Sequence, residues 1–407
     1  MSGKAYNMIS TAKSMRLQIA FFGRTNTGKS SLINFITGQD ISITSPVAGT
    51  TTDIVEKAME FAPVGPVVFI DTAGLDDSSE LGLQRIRRTW KAFERADIAV
   101  LVTTPGIWGE VEESVVQRAA EGKNKLIIIV NKCDLSESGQ AAAEKLRAYS
   151  SSIICCDCSR PERRRQLIDD FRSELLKNLP ADYLEPPPLT GDMLQPGDLA
   201  VMVVPIDLQA PKGRLILPQV QTIRDNLDRN AMTLVMKEDQ YKEHIAGITP
   251  QPKLIICDSQ VVKMVVEHAP AGVPCTTFSI LFSRLKGDVK TFLDGCSKIP
   301  ELQDNDRVLI AEACTHHPTC EDIGRVKLPR LLKKATGKDL QFDFAPGRDF
   351  PEDISSYKLI VHCGSCMLNR QETLYRISCA RKNNIAITNY GMAISYCQGV
   401  LDKVTII

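Results

Sequence analysis

The chain is predicted to be α/β throughout: a doubly wound domain with a phosphate-binding loop, followed by two smaller α/β domains. Three observations lead there. From residue 16 onward, short apolar runs alternate with polar stretches of helical length, the rhythm of parallel strands joined by crossover helices. A glycine-rich segment, Gly23 to Ser30, directly follows the first of these runs. Prolines then break the rhythm at Pro180 and Glu185-Pro186-Pro187-Pro188, and again near Ala269-Pro270-Ala271-Gly272-Val273-Pro274, where the chain can continue neither helix nor ladder.

In the first domain, residues 1–178, strands are predicted at Leu17–Phe22, Val67–Ile70, Ile98–Val102, Lys125–Val130 and Ser152–Ile154. The second, residues 179–272, carries predicted strands at Leu199–Val204, Thr233–Met236 and Lys253–Cys257, with helices at Pro218–Met232 and Gln260–His268. In the third, residues 273–407, strands are expected at Thr277–Phe282, Arg307–Ala311, Tyr357–Val361 and Ile385–Thr388, and helices at Gly287–Lys298 and Asn369–Asn383.

Composition excludes several classes. The 407 residues carry 49 Lys and Arg against 49 Asp and Glu, so no global basic field attracts nucleic acid or an anionic membrane. No apolar run approaches the roughly 18 residues of a membrane span and the opening residues form no signal core, so a soluble cytoplasmic protein is expected. The 13 cysteines are odd in number and thinly spread over a chain too large to need staples, which favours thiols or metal ligands over a disulfide framework.

Gly23-Arg24-Thr25-Asn26-Thr27-Gly28-Lys29-Ser30 fits G-x-x-x-x-G-K-S between a predicted strand and a helix starting at Ser31, the context the motif requires. Backbone N–H groups from Asn26 to Ser31 would cradle phosphate, Lys29 would reach the β- and γ-phosphates, and Ser30 would offer its hydroxyl to Mg2+. Asp71-Thr72-Ala73-Gly74 follows the strand ending at Ile70, placing Asp71 at the magnesium and the Gly74 N–H at the γ-phosphate. Asn131-Lys132-Cys133-Asp134 ends another strand, and the Asp134 carboxylate can pair with the two N–H groups that guanine has and adenine lacks. The first domain therefore reads as a P-loop GTPase domain. Thr51, within Gly49-Thr50-Thr51-Thr52-Asp53, is the expected mobile ligand that closes over magnesium.

This run resembles the switch of the TrmE, Era and EngA group of GTPases. Asn26 matches the asparagine that holds an activating K+ in the potassium-dependent members, so the resemblance implies potassium-stimulated hydrolysis. Leu75 stands where other GTPases place a water-orienting glutamine, which predicts slow intrinsic turnover. Cys155-Cys156-Asp157-Cys158 replaces the usual Ser-Ala of the guanine-capping loop, and these cysteines read either as small packing residues or as a reactive or metal-binding trio.

Three of the five histidines and four of the 13 cysteines fall between positions 314 and 366. Cys314-Thr315-His316-His317 follows one predicted strand; His362-Cys363-Gly364-Ser365-Cys366 follows another and leads into a helix. If these strands are neighbours, both groups meet at one sheet edge, with Cys314, Cys363 and Cys366 as thiolates and His316 or His362 beside them. Such a set suits either an iron-sulfur cluster or a Cys3His zinc site. His317 and Cys320 are weaker candidates.

A TrmE-like GTPase domain followed by C-x-H, 45 intervening residues and H-C-x-x-C is similar to the HydF family of scaffold GTPases that mature FeFe-hydrogenase. The resemblance spans nearly the whole chain. It implies a 4Fe-4S cluster on Cys314, Cys363 and Cys366, with His316, His362 or an exchangeable group at the fourth iron. It also implies a middle dimerisation domain, a homodimer or higher homo-oligomer, and docking to the radical-SAM maturases HydE and HydG and to the FeFe-hydrogenase apoprotein, to which a diiron precursor is delivered. The alternative is an RNA- or ribosome-associated GTPase with a zinc-binding tail. Neutral charge opposes it, and Arg163-Arg164-Arg165, the best basic run, reads as a solvated helix face.

Overall fold

The computed structural model describes residues 12–38, 54–76, 80–133, 144–181, 183–184, 187–206, 215–313 and 322–406. The chain divides into two compact units, Met1–Glu185 and Pro186–Ile407.

The first unit is built on six strands, β1 (Leu17–Phe22), β2 (Val55–Phe61), β3 (Gly65–Asp71), β4 (Ile98–Thr103), β5 (Lys125–Val130) and β6 (Ser152–Cys155), in the order β2-β3-β1-β4-β5-β6. Alternate residues of β1 serve two cores. Leu17, Ile19 and Phe21 pack with Leu32, Ile33 and Ile36 of α1 (Lys29–Thr37) and with Leu167, Phe171 and Leu175 of the helix Arg164–Asn178. Ala20 and Phe22 face Ala92 and Phe93 of α2 (Glu80–Arg95) and Val115 and Ala119 of α3 (Glu110–Gly122). With helices on both faces, the sheet is doubly wound as predicted. The purely parallel rhythm is corrected at one edge, because β2 pairs antiparallel with β3. Val64 N donates to Phe61 O (2.8 Å), closing a short turn that joins antiparallel neighbours without a crossover helix. The Val55–Phe61 run, with Glu56, Lys57 and Glu60, is too polar to announce itself as a strand.

The second unit holds two four-stranded parallel sheets. One has the order β10-β9-β7-β8 and the other β12-β11-β13-β14. The first comprises β7 (Leu199–Val203), β8 (Met232–Met236), β9 (Leu254–Cys257) and β10 (Cys275–Thr277). The second comprises β11 (Arg307–Ala311), β12 (Gln341–Ala345), β13 (Leu359–His362) and β14 (Ala386–Asn389). A single apolar core runs through both, joining Val201, Val203 and Ile255 to Val308, Ile310 and Ile360.

The strand expected at Thr277–Phe282 is corrected: β10 ends at Thr277 and a helix occupies Phe278–Lys286. The Thr277 hydroxyl accepts the Ile280 N–H (3.2 Å) and caps that helix. Phe278, Ile280, Leu281 and Phe282 are all buried, and a helix buried on every side leaves no periodicity to tell it from an inner strand. Since β10 pairs with β9, the first of these sheets extends past residue 272.

Candidate functional site

The phosphate loop leaves the buried end of β1 through Gly23, whose φ of 144° and approach to the Val102 carbonyl leave no room for a β-carbon. Asn26 (φ 62°) and Gly28 (φ 89°) are left-handed, and Lys29 opens α1, so successive N–H groups turn toward one point at the helix N-terminus. Lys29 Nζ donates to Arg24 O (2.7 Å) and Gly23 O (3.2 Å). Burial lowers its pKa, with Asp71 and Asp76 opposing.

Ser30 Oγ donates to Asp71 Oδ2 at 2.6 Å, bringing the two predicted magnesium anchors together. The other carboxylate oxygen, Asp71 Oδ1, is buried with no hydrogen-bond partner. Burial raises the Asp71 pKa, against the pull of Ser30 and Lys29. A hard divalent cation with oxygen ligands would satisfy this orphaned oxygen, so the residues fit Mg2+.

Further contacts here are absent from any motif reading. Gly74 lies so close to Thr25 that a β-carbon there would collide with it, and Leu75 N donates to Gly23 O (3.2 Å). Asp76 Oδ1 accepts from both Thr25 N and Thr25 Oγ1 at 2.7 Å, fastening the segment after β3 to the phosphate loop. Arg24 forks onto Glu112 of α3 at 2.9 and 3.1 Å, and Gly109 N also donates to this fully buried carboxylate (3.0 Å). Arg24 and Thr25 occupy free positions of the motif, so spacing gives them no signal. Leu75 is buried in the core, which leaves it unable to orient water.

At the base-binding end, Asn131 Nδ2 donates to Thr27 O (2.9 Å) and Lys132 Nζ to Asn26 O (2.7 Å), tying the end of β5 to the phosphate loop. Cys156 Sγ lies 3.5 Å from Asn131 Oδ1. Arg164 Nε donates to Phe35 O (2.6 Å) near the end of α1, so at least this member of the basic run has a structural partner. Ser31 is exposed on the first turn of α1. Thr51 and Asp134 lie outside the described residues, as do Cys314, His316, His317 and Cys320.

In the second unit β11 and β13 are adjacent and parallel, with Ala311 opposite His362, so the strands that precede the two cysteine-histidine segments end at the same sheet edge. Cys363 N donates to Ala311 O (2.9 Å), and Cys363 Sγ accepts the Ala313 N–H at 3.0 Å, one residue before Cys314. Burial pushes the Cys363 thiol up to about 11, with the neighbouring Cys366 adding to the rise. Lys286, only 2% exposed, donates to Ser365 O (3.0 Å), Cys366 O (3.2 Å) and Leu368 O (2.7 Å), gripping the loop from inside. Burial lowers its pKa to about 8, while Cys366, Cys363 and Glu372 pull the other way. No sequence pattern marks this lysine.

His362 is fully buried, with Nδ1 2.9 Å from Cys363 O and Nε2 3.3 Å from Arg376 Nη1. A guanidinium only donates, so Nε2 accepts and Nδ1 carries the proton. Burial, then Arg376, lowers the pKa to about 3. To ligate a metal, His362 would have to surrender one of these bonds.

The doubly wound sheet, the phosphate loop at a helix N-terminus and the paired Ser30 and Asp71 define a P-loop nucleotide-binding domain, and the family match over it makes it a GTPase, which binds GTP with Mg2+ and hydrolyses it. A 50S ribosome-binding GTPase model matches residues 18–132. Hydrogen maturase F models match the dimerization domain at 189–287 and the tetramerization domain at 290–406, together more than half of the chain. The chain belongs to the hydrogen maturase F family.

Among relatives, the tRNA modification GTPase MnmE of Chromobacterium violaceum is 39% identical over 132 residues, 32% of this chain and 29% of that protein. MnmE of Burkholderia thailandensis is 32% identical over 166 residues (40% and 34%), and GTPase Der of Clostridium botulinum 36% over 138 residues (32% and 31%). The chain thus spans about a third of the length of the curated relatives it matches. A solved structure of an Aquifex aeolicus Era variant bound to GDP.AlF4− covers 54% of this chain and 92% of its own, at 18% identity and a TM-score of 0.35. No helix among the described residues is long and apolar enough to cross a membrane.

Proposed function

We propose that this GTPase carries a 4Fe-4S cluster on Cys314, Cys363 and Cys366 and serves as the scaffold on which a diiron precursor of the FeFe-hydrogenase site is held and passed on. The observation that carries this reading is the adjacency of β11 and β13, with Cys363 Sγ tied to Ala313 N beside Cys314. An N–H to sulfur bond and the nearby Lys286 ammonium suit thiolates, so the described residues fit an anionic iron-sulfur group. The cluster, when bound, would supply one iron without a cysteine ligand, at which His316, His362 or an exchangeable group completes the set. The chain's own part is to hold the thiolates, keep the loop rigid through Lys286 and shield its inner side with His362 and Arg376.

In the nucleotide site, Lys29 binds phosphate, Ser30 and Asp71 hold Mg2+, and Thr51 and Gly74 follow the γ-phosphate. Asp134 selects guanine and Asn26 offers a site for K+. Hydrolysis would release Thr51 and Gly74 and change the surface presented to the radical-SAM maturases HydE and HydG and to the hydrogenase apoprotein. A three-domain division, at 178 and at a second boundary beyond β10 and so past the expected 272, and a cytoplasmic setting complete the reading.

The test is electron paramagnetic resonance of anaerobically reconstituted, dithionite-reduced protein. A reduced four-iron signal is expected in the parent and is expected to vanish in Cys314→Ala, Cys363→Ala and Cys366→Ala. Uptake of zinc alone, with no signal, would favour a zinc-binding tail instead.

Homo-oligomers need a surface, and the edge strand β8 offers one. Met232, Leu234 and Val235 on it are 45%, 37% and 40% exposed, and Val220 and Leu227 of the helix Leu217–Asp228 are also exposed. An apolar edge strand is a template for pairing with a second copy. Leu234→Glu is expected to shift the protein toward monomer in size-exclusion chromatography with light scattering. An unchanged mass would place the interface elsewhere.

A further inference from the structure

Four cysteines converge where the guanine-capping loop meets β5, and nucleotide chemistry needs none of them. Cys133 follows the end of β5, and Cys155 ends β6, whose partner in register is Val130. Cys133 N donates to Cys156 O (3.1 Å) and Cys156 N to Val130 O (2.9 Å), so the two segments are laced together by backbone bonds. Within this lacing the thiols sort into two hydrogen-bonded pairs, Cys133 with Cys155 and Cys156 with Cys158.

The pairs differ in access. Cys156 is 7% exposed and lies against Asn131; its bond to Cys158 and its burial push its thiol up. Cys155 is exposed, and the hydrogen bond from Cys133 brings its thiol down to about 7. The outer pair therefore contains an accessible thiolate with a second thiol in contact, the arrangement that undergoes thiol–disulfide exchange. The inner pair stays structural.

We propose that Cys133 and Cys155 form a reversible disulfide that weakens guanine-nucleotide binding, placing the GTP site under thiol control. The oxidant is a low-molecular-weight disulfide. The Cys155 thiolate attacks one of its sulfurs, forming a mixed disulfide and expelling one small thiolate. Cys133, losing its proton to that thiolate, attacks the Cys155 sulfur and expels the second. Two electrons pass from the protein sulfurs to the oxidant, which leaves as one thiol and one thiolate, and a reductant thiol reverses both steps.

The effect on nucleotide follows from position. Cys133 Sγ sits 3.1 Å from Val130 O. A sulfur–sulfur bond of about 2.0 Å removes the proton and draws the sulfur toward β6. Cys133 directly follows Lys132, whose Nζ holds the Asn26 carbonyl at 2.7 Å, so turning Cys133 pulls on the tie between the end of β5 and the phosphate loop.

The test uses full-length protein with Cys363 and Cys366 changed to Ser, treated with oxidised glutathione or with dithiothreitol. Peptide mass mapping after alkylation is expected to find a Cys133–Cys155 bridge in the oxidised sample. Binding of a fluorescent GDP analogue is expected to weaken by about tenfold, equivalent to 1.4 kcal/mol, and to recover on reduction. Cys155→Ser and Cys133→Ser are each expected to keep parental affinity under both conditions. The proposal is overturned if no such bridge forms, if affinity is unchanged with the bridge in place, or if Cys155→Ser loses affinity equally on oxidation.

Discussion

Asp71→Asn is expected to lower GTP turnover by about a hundredfold or more while leaving the fold at least as stable as the parent. The carboxylate does two things that an amide cannot do together. Its Oδ2 accepts the Ser30 hydroxyl at 2.6 Å, and its buried Oδ1, with no protein partner, is the oxygen left for magnesium or a magnesium-bound water. An amide puts N–H donors at one of these positions and removes the negative charge that attracts the cation.

Stability moves the other way. Burial raises the folded-state pKa of Asp71 above its ordinary value, so the native state binds the proton more tightly than the unfolded chain does. The ionised carboxylate therefore costs stability at neutral pH, and the cost fades as pH falls through the raised pKa and the group protonates. Phosphate release at saturating GTP and Mg2+ checks the first expectation. Thermal melts at pH 7 and near pH 3.5 check the second: any gain in Tm should be larger at pH 7. Full turnover in the variant would remove Asp71 from the magnesium site.

Lys286→Met carries the second large effect, on the thiol loop. The ammonium is buried and its three hydrogen bonds all go to carbonyls of one loop, those of Ser365, Cys366 and Leu368. Methionine fills much of the volume and strips that donor from all three. At about 1–3 kcal/mol for each buried polar group left unsatisfied, offset by no longer burying a charge, a net loss of about 2–4 kcal/mol is expected. The variant should melt several degrees lower, and its reconstituted form should retain less iron per chain than the parent under the same gel filtration. A variant with parental melting and parental iron content would show the grip to be dispensable.

How much was legible in the chain follows from how each residue acts. Lys29, Ser30, Asp71, Asn131 and Lys132 act through backbone turns and strand ends whose spacing is fixed, so a motif finds them, and the structure brings all five together around the phosphate loop. The strands β1 and β11 match their predicted limits because each is a short buried run of a parallel sheet. Lys286 was invisible because it acts across 79 residues or more from an ordinary helical position. Arg24 with Glu112 and Thr25 with Asp76 escaped for the same reason: one partner sits in a free motif position and the other far along the chain. β2 was missed because an edge strand need be apolar on only part of its length, and the helix Phe278–Lys286 was misread because complete burial erases its period.

The continuous core of the second unit has one more consequence. Val201 and Ile255, beneath the sheet that ends at the exposed strand β8, belong to the same apolar body as Val308 and Ile360, beneath the thiol loop. Regions that share a core gain and lose order together, as one cooperative folding unit. The surface on which copies would meet and the loop that presents Cys363 and Cys366 are thus not separate parts joined by a tether. Each draws its local order from the same reservoir, and whatever loosens one spends some of the rigidity of the other.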